Sequence, residues 1–260
     1  MSDDSDRWPA VADTMARFYD LDHDAVTDDI DFYVNMARRT GSPLLELGVG
    51  TGRVAIPLVK AGFEVVGVDS SAAMLARAEA KAVAAGASGL RLVRADVRDL
   101  DLERRFALAF SALGSFMHFL TPSDQMRALL AGYRHLKVGG LLVVDLPKPE
   151  LEAWGQAHGE LLHEWTQPEP SGGFISKLSS YYLEPPRQWQ HVTHFYDRVA
   201  LSGEVRRTVV SFALRYCFPF EMELLLERCG YTLEAVYGSY DLDSFGEDSQ
   251  RMIFVARRPS

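Results

Sequence analysis

The segment from Glu46 to Gly52 has the pattern acid-x-Gly-x-Gly-x-Gly, with glycines at positions 48, 50 and 52. An apolar run, Leu44 to Leu47, precedes it and is predicted to be a buried strand, and a helix is predicted from Val54 to Lys60. Glycine allows a sharp turn and a close approach of backbone to ligand. The start of a helix offers free N–H groups with partial positive charge. Because open α/β sheets bind ligands where strands end, this turn is predicted to be the floor of a ligand site.

Three later side chains indicate which ligand that is. Asp69 ends the second predicted strand, where a carboxylate can accept from ribose hydroxyls. Asp96 follows the third predicted strand, where it can accept from an adenine amino group, and Met74 can pack on the adenine face. The dinucleotide pattern G-x-G-x-x-G needs glycine where this chain has Arg53. Each residue also has a structural alternative: a tight turn for the glycines, a helix cap or turn for the acids, and core packing for the methionine.

In this order and spacing, residues 40–147 resemble class I S-adenosylmethionine-dependent methyltransferases. The resemblance is to their small-molecule branch, which includes aminosugar N-methyltransferases and glycine N-methyltransferase. It implies S-adenosyl-L-methionine as the cofactor, with Tyr19 and Tyr33 similar to tyrosines that close over it. The implied cofactor-binding residues are Tyr19, Tyr33, Glu46, Gly48, Gly50, Asp69, Ser70, Met74, Asp96, Val97, Ser111 and Leu113.

The acceptor side is indicated by histidines and aromatics. His118, just after the fourth predicted strand, is the candidate general base or acceptor-orienting group, although a lone histidine is more often structural. Candidate substrate residues lie in aromatic strands beyond residue 173: Tyr181, His191, His194 and Tyr196. The structural alternative for each of these aromatics is burial of the sheet against the core. The sequence predicts no metal site, because its two cysteines form no Cys/His cluster.

The elements that position these residues alternate between strand and helix up to Leu146, which predicts a doubly wound, Rossmann-like α/β fold. Three strands then follow one another, at about 174–183, 189–200 and 205–216, which predicts an antiparallel β insertion forming a substrate cap. The expected organisation is an N-terminal helical lid (1–40), a cofactor-binding core (41–147), the cap (148–216), and a C-terminal helix and strands completing the core sheet (217–260).

Composition narrows the class of partner. The chain has 260 residues, is 47% hydrophobic and carries a formal net charge of −9. A negative chain is a poor match for nucleic acid, so a small-molecule acceptor is expected. No apolar run approaches the ~20 residues that a membrane span needs. The polar, acidic first seven residues lack the pattern of a signal peptide, so a cytoplasmic protein is expected. The sequence leaves open whether the protein forms a homodimer.

The sequence therefore predicts an enzyme that transfers a methyl group to an N or O atom of a small organic metabolite. Three alternatives are left open. The first is a C-methyltransferase, for which Glu164 or Glu169 could supply a carboxylate. The second is a non-catalytic S-adenosylmethionine-binding module. The third, a nicotinamide oxidoreductase, is disfavoured by Arg53.

Overall fold

The computed structural model describes residues 4–156, 158–170 and 172–260. The helices within these ranges are α1 (Asp4–His23), α2 (Ile30–Thr40), α3 (Ala55–Lys60), α4 (Ala72–Ala84), α5 (Pro122–His135), α6 (Leu151–Gln156) and α7 (Pro219–Arg228). The strands are β1 (Leu44–Leu47), β2 (Val65–Asp69), β3 (Leu90–Arg94), β4 (Phe106–Ser111), β5 (Leu136–Pro147), β6 (Leu162–Pro168), β7 (Phe174–Glu184), β8 (Trp189–Val199), β9 (Val205–Arg215), β10 (Thr232–Tyr237) and β11 (Arg251–Arg257). None of the described helices is long and apolar enough to cross a membrane.

The larger sheet has seven strands in the order β10-β11-β5-β4-β1-β2-β3. Five neighbouring strands of this sheet, β5, β4, β1, β2 and β3, run parallel to one another. Strand β11 runs antiparallel to β5, and β10 runs antiparallel to β11. The chain leaves β1 toward β2 on one side and reaches β4 on the other. A crevice therefore opens above β1 and β4, which is where doubly wound sheets bind ligands.

Successive side chains of the core strands pack into two different apolar cores, one on each face of the larger sheet. Leu45 of β1 packs in a cluster with Leu129 of α5 and Leu226 of α7, while the adjacent Leu44 packs in a second cluster with Phe32 of α2 and Leu58 of α3. Successive strand residues point to opposite faces, so a strand buried on both sides must be apolar throughout. The doubly wound α/β fold predicted from the sequence is confirmed.

The smaller sheet is antiparallel, in the order β6-β7-β8-β9, and is inserted between β5 and α7. Here "the cap sheet" means these four strands. Three of them were predicted within one or two residues of their ends. Strand β6 and the short helix α6 before it were not predicted, because the segment Leu162–Pro168 mixes a single aromatic with charged and polar residues. As an edge strand it gains its hydrogen bonds from β7 alone and needs little apolar content.

Helix α1 joins the two sheets. Its buried residues Met15 and Phe18 share a cluster with Met74 of α4 and Tyr196 of β8, and the Phe18 and Tyr196 rings stack with centroids 4.1 Å apart. Asp22, near its end, accepts from Tyr196 Oη at 2.7 Å. By contrast α2, which belongs to the same predicted N-terminal segment, packs into the core beneath the larger sheet.

A buried ion pair contributes to the attachment of α1 to the cap sheet. Asp22 lies 2.9 Å from Lys177 Nζ of β7, and the two side chains are 4% and 11% exposed. Replacing Asp22 with Asn leaves the Lys177 charge buried without its counter-charge, so D22N is expected to lower the free energy of unfolding by about 3 kcal/mol. The measurement is urea unfolding monitored by circular dichroism.

The matched control is Asp24→Asn, two residues further along. Asp24 pairs with Lys81 at the surface, where its side chain is 53% exposed. An exposed pair contributes about 0–1 kcal/mol, so D24N should unfold close to the wild-type midpoint. Equal losses in D22N and D24N would contradict the assignment of Asp22 as the anchor.

Candidate active site

A cavity of about 380 Å³ lies between the glycine turn, helix α1, the loop after β4 and the cap sheet. It is more apolar than polar at its surface and open at one side. Most of the residues that the sequence analysis singled out line it together: Tyr19, Gly48, Gly50, Asp69, Ser70, Met74, Asp96, Val97, Leu113, His118, Tyr181 and His194. Residues far apart in sequence thus meet at one place.

The glycine turn is held against the end of β2. Gly48, Gly50 and Gly52 all have φ between +53° and +83°, a region that favours glycine. The Gly50 N–H donates to Asp69 Oδ2 at 2.9 Å. A Cβ on Gly50 would lie 3.8 Å from the ring of Tyr19, and one on Gly48 would lie 3.1 Å from Cβ of Ser115. Side chains here would narrow the cavity floor.

The two predicted acids stand in different electrostatic environments. Burial raises the pKa of Asp69. The hydrogen bonds that Asp69 accepts from the backbone of Ser71 and Gly50 lower its pKa, but their effect is smaller than that of burial. Burial would also raise the pKa of Asp96, but hydrogen bonds from the Arg98 guanidinium and backbone outweigh it, so its pKa is lowered. Arg98 Nη2 lies 2.6 Å from Asp96 Oδ2. Asp96 is therefore held as a carboxylate, half exposed beside the cavity.

Three predicted cofactor residues lie behind the cavity wall. Glu46 is 3% exposed under the glycine turn and accepts from the backbone of Ala55, and burial raises its pKa well above the usual range. Tyr33 is fully buried, with its ring 4.8 Å from that of Phe110. Ser111 is the buried last residue of β4. None of the three is among the residues lining the cavity.

Two of the predicted substrate residues also lie away from it. Tyr196 is 1% exposed and donates its hydroxyl to Asp22. His191 points to the other face of β8, where Nε2 lies 3.0 Å from Glu184 Oε2. Glu164 and Glu169, the carboxylates considered for C-methylation, do not line the cavity either. Glu169 instead accepts from Arg198.

His118 lies in the loop after β4 and lines the cavity. Its ring stacks on Trp8 of α1 with centroids 3.5 Å apart. Burial lowers its pKa to about 3, so the imidazole is neutral at physiological pH. Its buried Nδ1 has no hydrogen-bond partner within the described ranges. A buried nitrogen without a partner is costly.

The loop that carries His118 is fixed from β5. Asp145, fully buried, accepts from the backbone N–H of Leu113 at 2.9 Å and from the Tyr240 hydroxyl at 2.9 Å. Leu113 is thereby held at φ +49°, in the left-handed region that non-glycine residues rarely adopt. Arg251 Nε also donates to Asp145, at 2.7 Å.

Sequence reasoning missed several cavity residues, among them Trp8, Lys177 and Arg251. Trp8 lies in an N-terminal helix whose packing partner is distant in sequence. Lys177 and Arg251 are charged residues in strands with apolar neighbours, and such a pattern is a signal of a buried, paired charge. Their partners, Asp22 and Asp145, could not be read from spacing.

The cavity fits an S-adenosyl cofactor. Its floor lacks Cβ atoms at the glycines, and Asp69 and Asp96 present carboxylate oxygens at two of its edges. Met74, 3% exposed, and Val97, 8% exposed, supply apolar contacts beside them. Hydrogen-bond acceptors for ribose and adenine therefore stand next to surfaces on which a base could pack.

Comparisons with known proteins agree with this fit. The family described as "Methyltransferase domain" matches residues 44–140. A glycine/sarcosine N-methyltransferase from Aphanothece halophytica is 30% identical over 245 residues, which cover 91% of this chain and 84% of the relative. The chain belongs to the S-adenosylmethionine-dependent methyltransferases. Other matches are partial: the chain spans 24% and 49% of the length of two further glycine-methylating relatives.

Solved structures resemble the whole chain. The CcbJ methyltransferase from Streptomyces caelestis has a TM-score of 0.80 and 27% identity, covering 96% of this chain and 98% of that one. The sugar N-methyltransferase KedS8 from a Streptoalloteichus species has a TM-score of 0.74 and 24% identity, covering 94% and 91%. The cap sheet is thus part of the fold these proteins share, since the superpositions extend well beyond residues 44–140.

Asp69 tests the cofactor assignment. Removing its carboxylate in Asp69→Ala deletes a charged acceptor, and hydrogen bonds to charged groups contribute about 1.5–3 kcal/mol. We expect the Kd for S-adenosylhomocysteine to rise about tenfold or more, measured by isothermal titration calorimetry. Asp99→Asn is the control, because Asp99 is 71% exposed and does not line the cavity. Unchanged affinity in D69A would show that the site is assigned to the wrong residues.

Proposed function

We propose that this chain transfers a methyl group to the nitrogen atom of a small organic amine. The observation that carries the proposal is the position of His118, a neutral imidazole in the cavity wall at the end that Tyr181 and His194 of the cap sheet also line. An amine offers both an N–H for hydrogen bonding to a neutral imidazole and a lone pair for attack. The N-methylating relatives support nitrogen over oxygen as the acceptor atom.

S-adenosylmethionine, when bound, supplies an electrophilic methyl group on a sulfonium. The residues proposed to hold it are those that line the cavity on the core side: Tyr19, Gly48, Gly50, Asp69, Ser70, Met74, Asp96, Val97 and Leu113. Glu46, Tyr33 and Ser111 are proposed to act indirectly, by fixing the turn and the end of β4 behind the wall. Such positioning raises rates by bringing reactants into alignment.

The acceptor is proposed to enter between His118 and the cap sheet. Tyr181 and His194 of the cap line this end, as do the cations Lys177 and Arg251. Both cations are already paired with aspartates, so they offer N–H donors to a polar group of the acceptor without adding a large net charge. Trp8 and α1 would exclude water from the attacking nitrogen, which strengthens the polar contacts there.

The assay uses the protein with S-adenosylmethionine carrying a labelled methyl group. Glycine, sarcosine and an aminosugar are the amine acceptors, and a simple catechol tests for oxygen. The expected product is an N-methyl amine, seen by mass and by the N–CH₃ signal in NMR. An O-methyl or C-methyl product would overturn the proposal. So would cofactor binding with no transfer to any of the amines.

His118→Ala tests the role of the imidazole. Losing the group that orients the amine should lower kcat/KM for the acceptor by about 100-fold and leave the Kd for S-adenosylhomocysteine unchanged. The matched control is His163→Ala, since His163 is exposed on β6. If H118A loses cofactor affinity and acceptor kinetics to the same extent, His118 supports the fold rather than the acceptor.

A further inference from the structure

A second cavity of about 290 Å³ lies beside the first, between α1, the loop after β4, and strands β8 and β9. We call this second space the side cavity. Four residues line both spaces: Trp8, His118, Val192 and Phe212. Their side chains therefore form the wall between the side cavity and the acceptor end of the site.

The side chains that face the side cavity are mostly apolar. Val11 of α1 and Leu120 of the loop after β4 line it without lining the first cavity, and they stand beside the rings of Trp8 and Phe212. Among the described residues, no aspartate, glutamate, lysine or arginine lines it. The first cavity differs in this respect, because charged residues such as Asp96 line it.

The polar residues of β8 and β9 that border the side cavity are turned away from it. Thr193 and Ser211 are the chain neighbours of Val192 and Phe212, and successive side chains of a strand point to opposite faces. Their hydroxyls lie 3.0 Å apart and are hydrogen-bonded to each other. The side cavity therefore presents few polar groups with which a charged ligand could pair, and burying an unpaired charge is costly.

The side cavity adjoins the acceptor end of the site and not the cofactor end. None of the residues proposed to hold S-adenosylmethionine lines it, from Tyr19 and the glycine turn to Asp96 and Leu113. The proposed acceptor-orienting group His118 does line it. A ligand group that fills the side cavity is thus expected to belong to the acceptor.

The volume of the side cavity is sufficient for a substantial apolar group. An apolar cavity of about 150 Å³ inside a protein can bind benzene. The side cavity, at about 290 Å³, is larger than that. It therefore has room for an aromatic ring or for an alkyl chain of comparable size.

The wall between the two cavities is held by ring contacts. Trp8 stacks on His118, and Phe212 meets the Trp8 ring edge-on with centroids 5.5 Å apart. Neither the Trp8 indole nor the His118 imidazole makes a side-chain hydrogen bond to the residues that the structure describes. A ligand group can therefore displace the Trp8 ring without breaking a hydrogen bond.

We propose that the side cavity binds an apolar substituent of the acceptor, so that the acceptor is an amine carrying an alkyl or aryl group. The proposal rests on the proposed function, since it names the class of amine that the same site methylates. An amine nitrogen placed at His118 has its substituent next to the side cavity. Glycine, which carries only a carboxylate besides its amine, would leave the side cavity empty.

The first experiment compares primary amines of increasing length as acceptors: ethylamine, butylamine and hexylamine, with benzylamine as the aryl example. Methyl transfer from labelled S-adenosylmethionine gives kcat/KM for each. Burial of each added methylene should raise kcat/KM about fourfold, and benzylamine should rank with hexylamine. Equal values from ethylamine to hexylamine would overturn the proposal.

The second experiment fills the side cavity. Val11→Phe places a ring where the substituent is proposed to bind, so the hexylamine-to-ethylamine ratio of kcat/KM should fall about tenfold or more. Val11→Ala leaves the space open and should keep the ratio. Circular dichroism melting curves show whether each variant is folded.

Ala10→Phe is the matched control, because Ala10 is exposed on the same helix and lines neither cavity. It should keep the wild-type ratio. A folded V11F with an unchanged ratio would show that the substituent binds elsewhere. A fall of the same size in A10F would show that the effect does not come from filling the side cavity, and it would also overturn the proposal.

A binding measurement separates this proposal from the proposed function. Isothermal titration calorimetry with the protein saturated with S-adenosylhomocysteine gives the Kd of hexylamine and of ethylamine without any transfer. Hexylamine should bind about tenfold tighter or more in the wild type and in A10F, and should lose this advantage in V11F. That result would support the side cavity even if no amine were methylated, whereas equal Kd values in the wild type would overturn it.

Discussion

Three aspartates on helix α1 hold the two halves of the site together. Asp13 accepts from the Ser71 hydroxyl at 2.5 Å, at the start of α4. Asp20 accepts from Thr51 of the glycine turn at 2.7 Å and from Arg77 of α4. Asp22 binds Lys177 of the cap sheet. Because the same helix is tied to the glycine turn and to the cap, the cavity between them has a defined width, and the remaining contacts of the site depend on that docking.

Burial then determines what the polar groups can do. Carboxylates that face the cavity are held by backbone N–H groups or an arginine, as Asp69 and Asp96 are. Imidazoles that face it are neutral, because burial lowers the pKa of His118 and His194. The core side thus presents acceptors suited to the hydroxyls and amino group of a nucleoside, and the cap side presents neutral bases suited to an amine. Because of this difference, we assign cofactor binding to the core side and acceptor binding to the cap side.

Much of the fold could be predicted from the sequence, because its elements are marked locally. Glycine turns, apolar strands and Ser71, which caps α4 by accepting from the Met74 N–H, each carry their signal within a few residues. The glycine turn and Asp69 were predictable for the same reason. The rest of the site depends on contacts across long stretches of chain: Asp22 with Lys177, Trp8 with His118, and Asp145 with Arg251. Spacing contains no information on such pairs. Strand β6 was missed because an edge strand needs no apolar periodicity.

The structure of the full chain crystallised with S-adenosylhomocysteine would test the central claim most directly. One cavity, bounded by α1 and the cap sheet, is predicted to hold the cofactor on its core side. The expected result is a ribose within hydrogen-bond distance of Asp69, an adenine beside Asp96 and Val97, and the homocysteine sulfur directed toward the space between His118 and His194. A ligand bound elsewhere, or a sulfur directed away from the cap sheet, would contradict it.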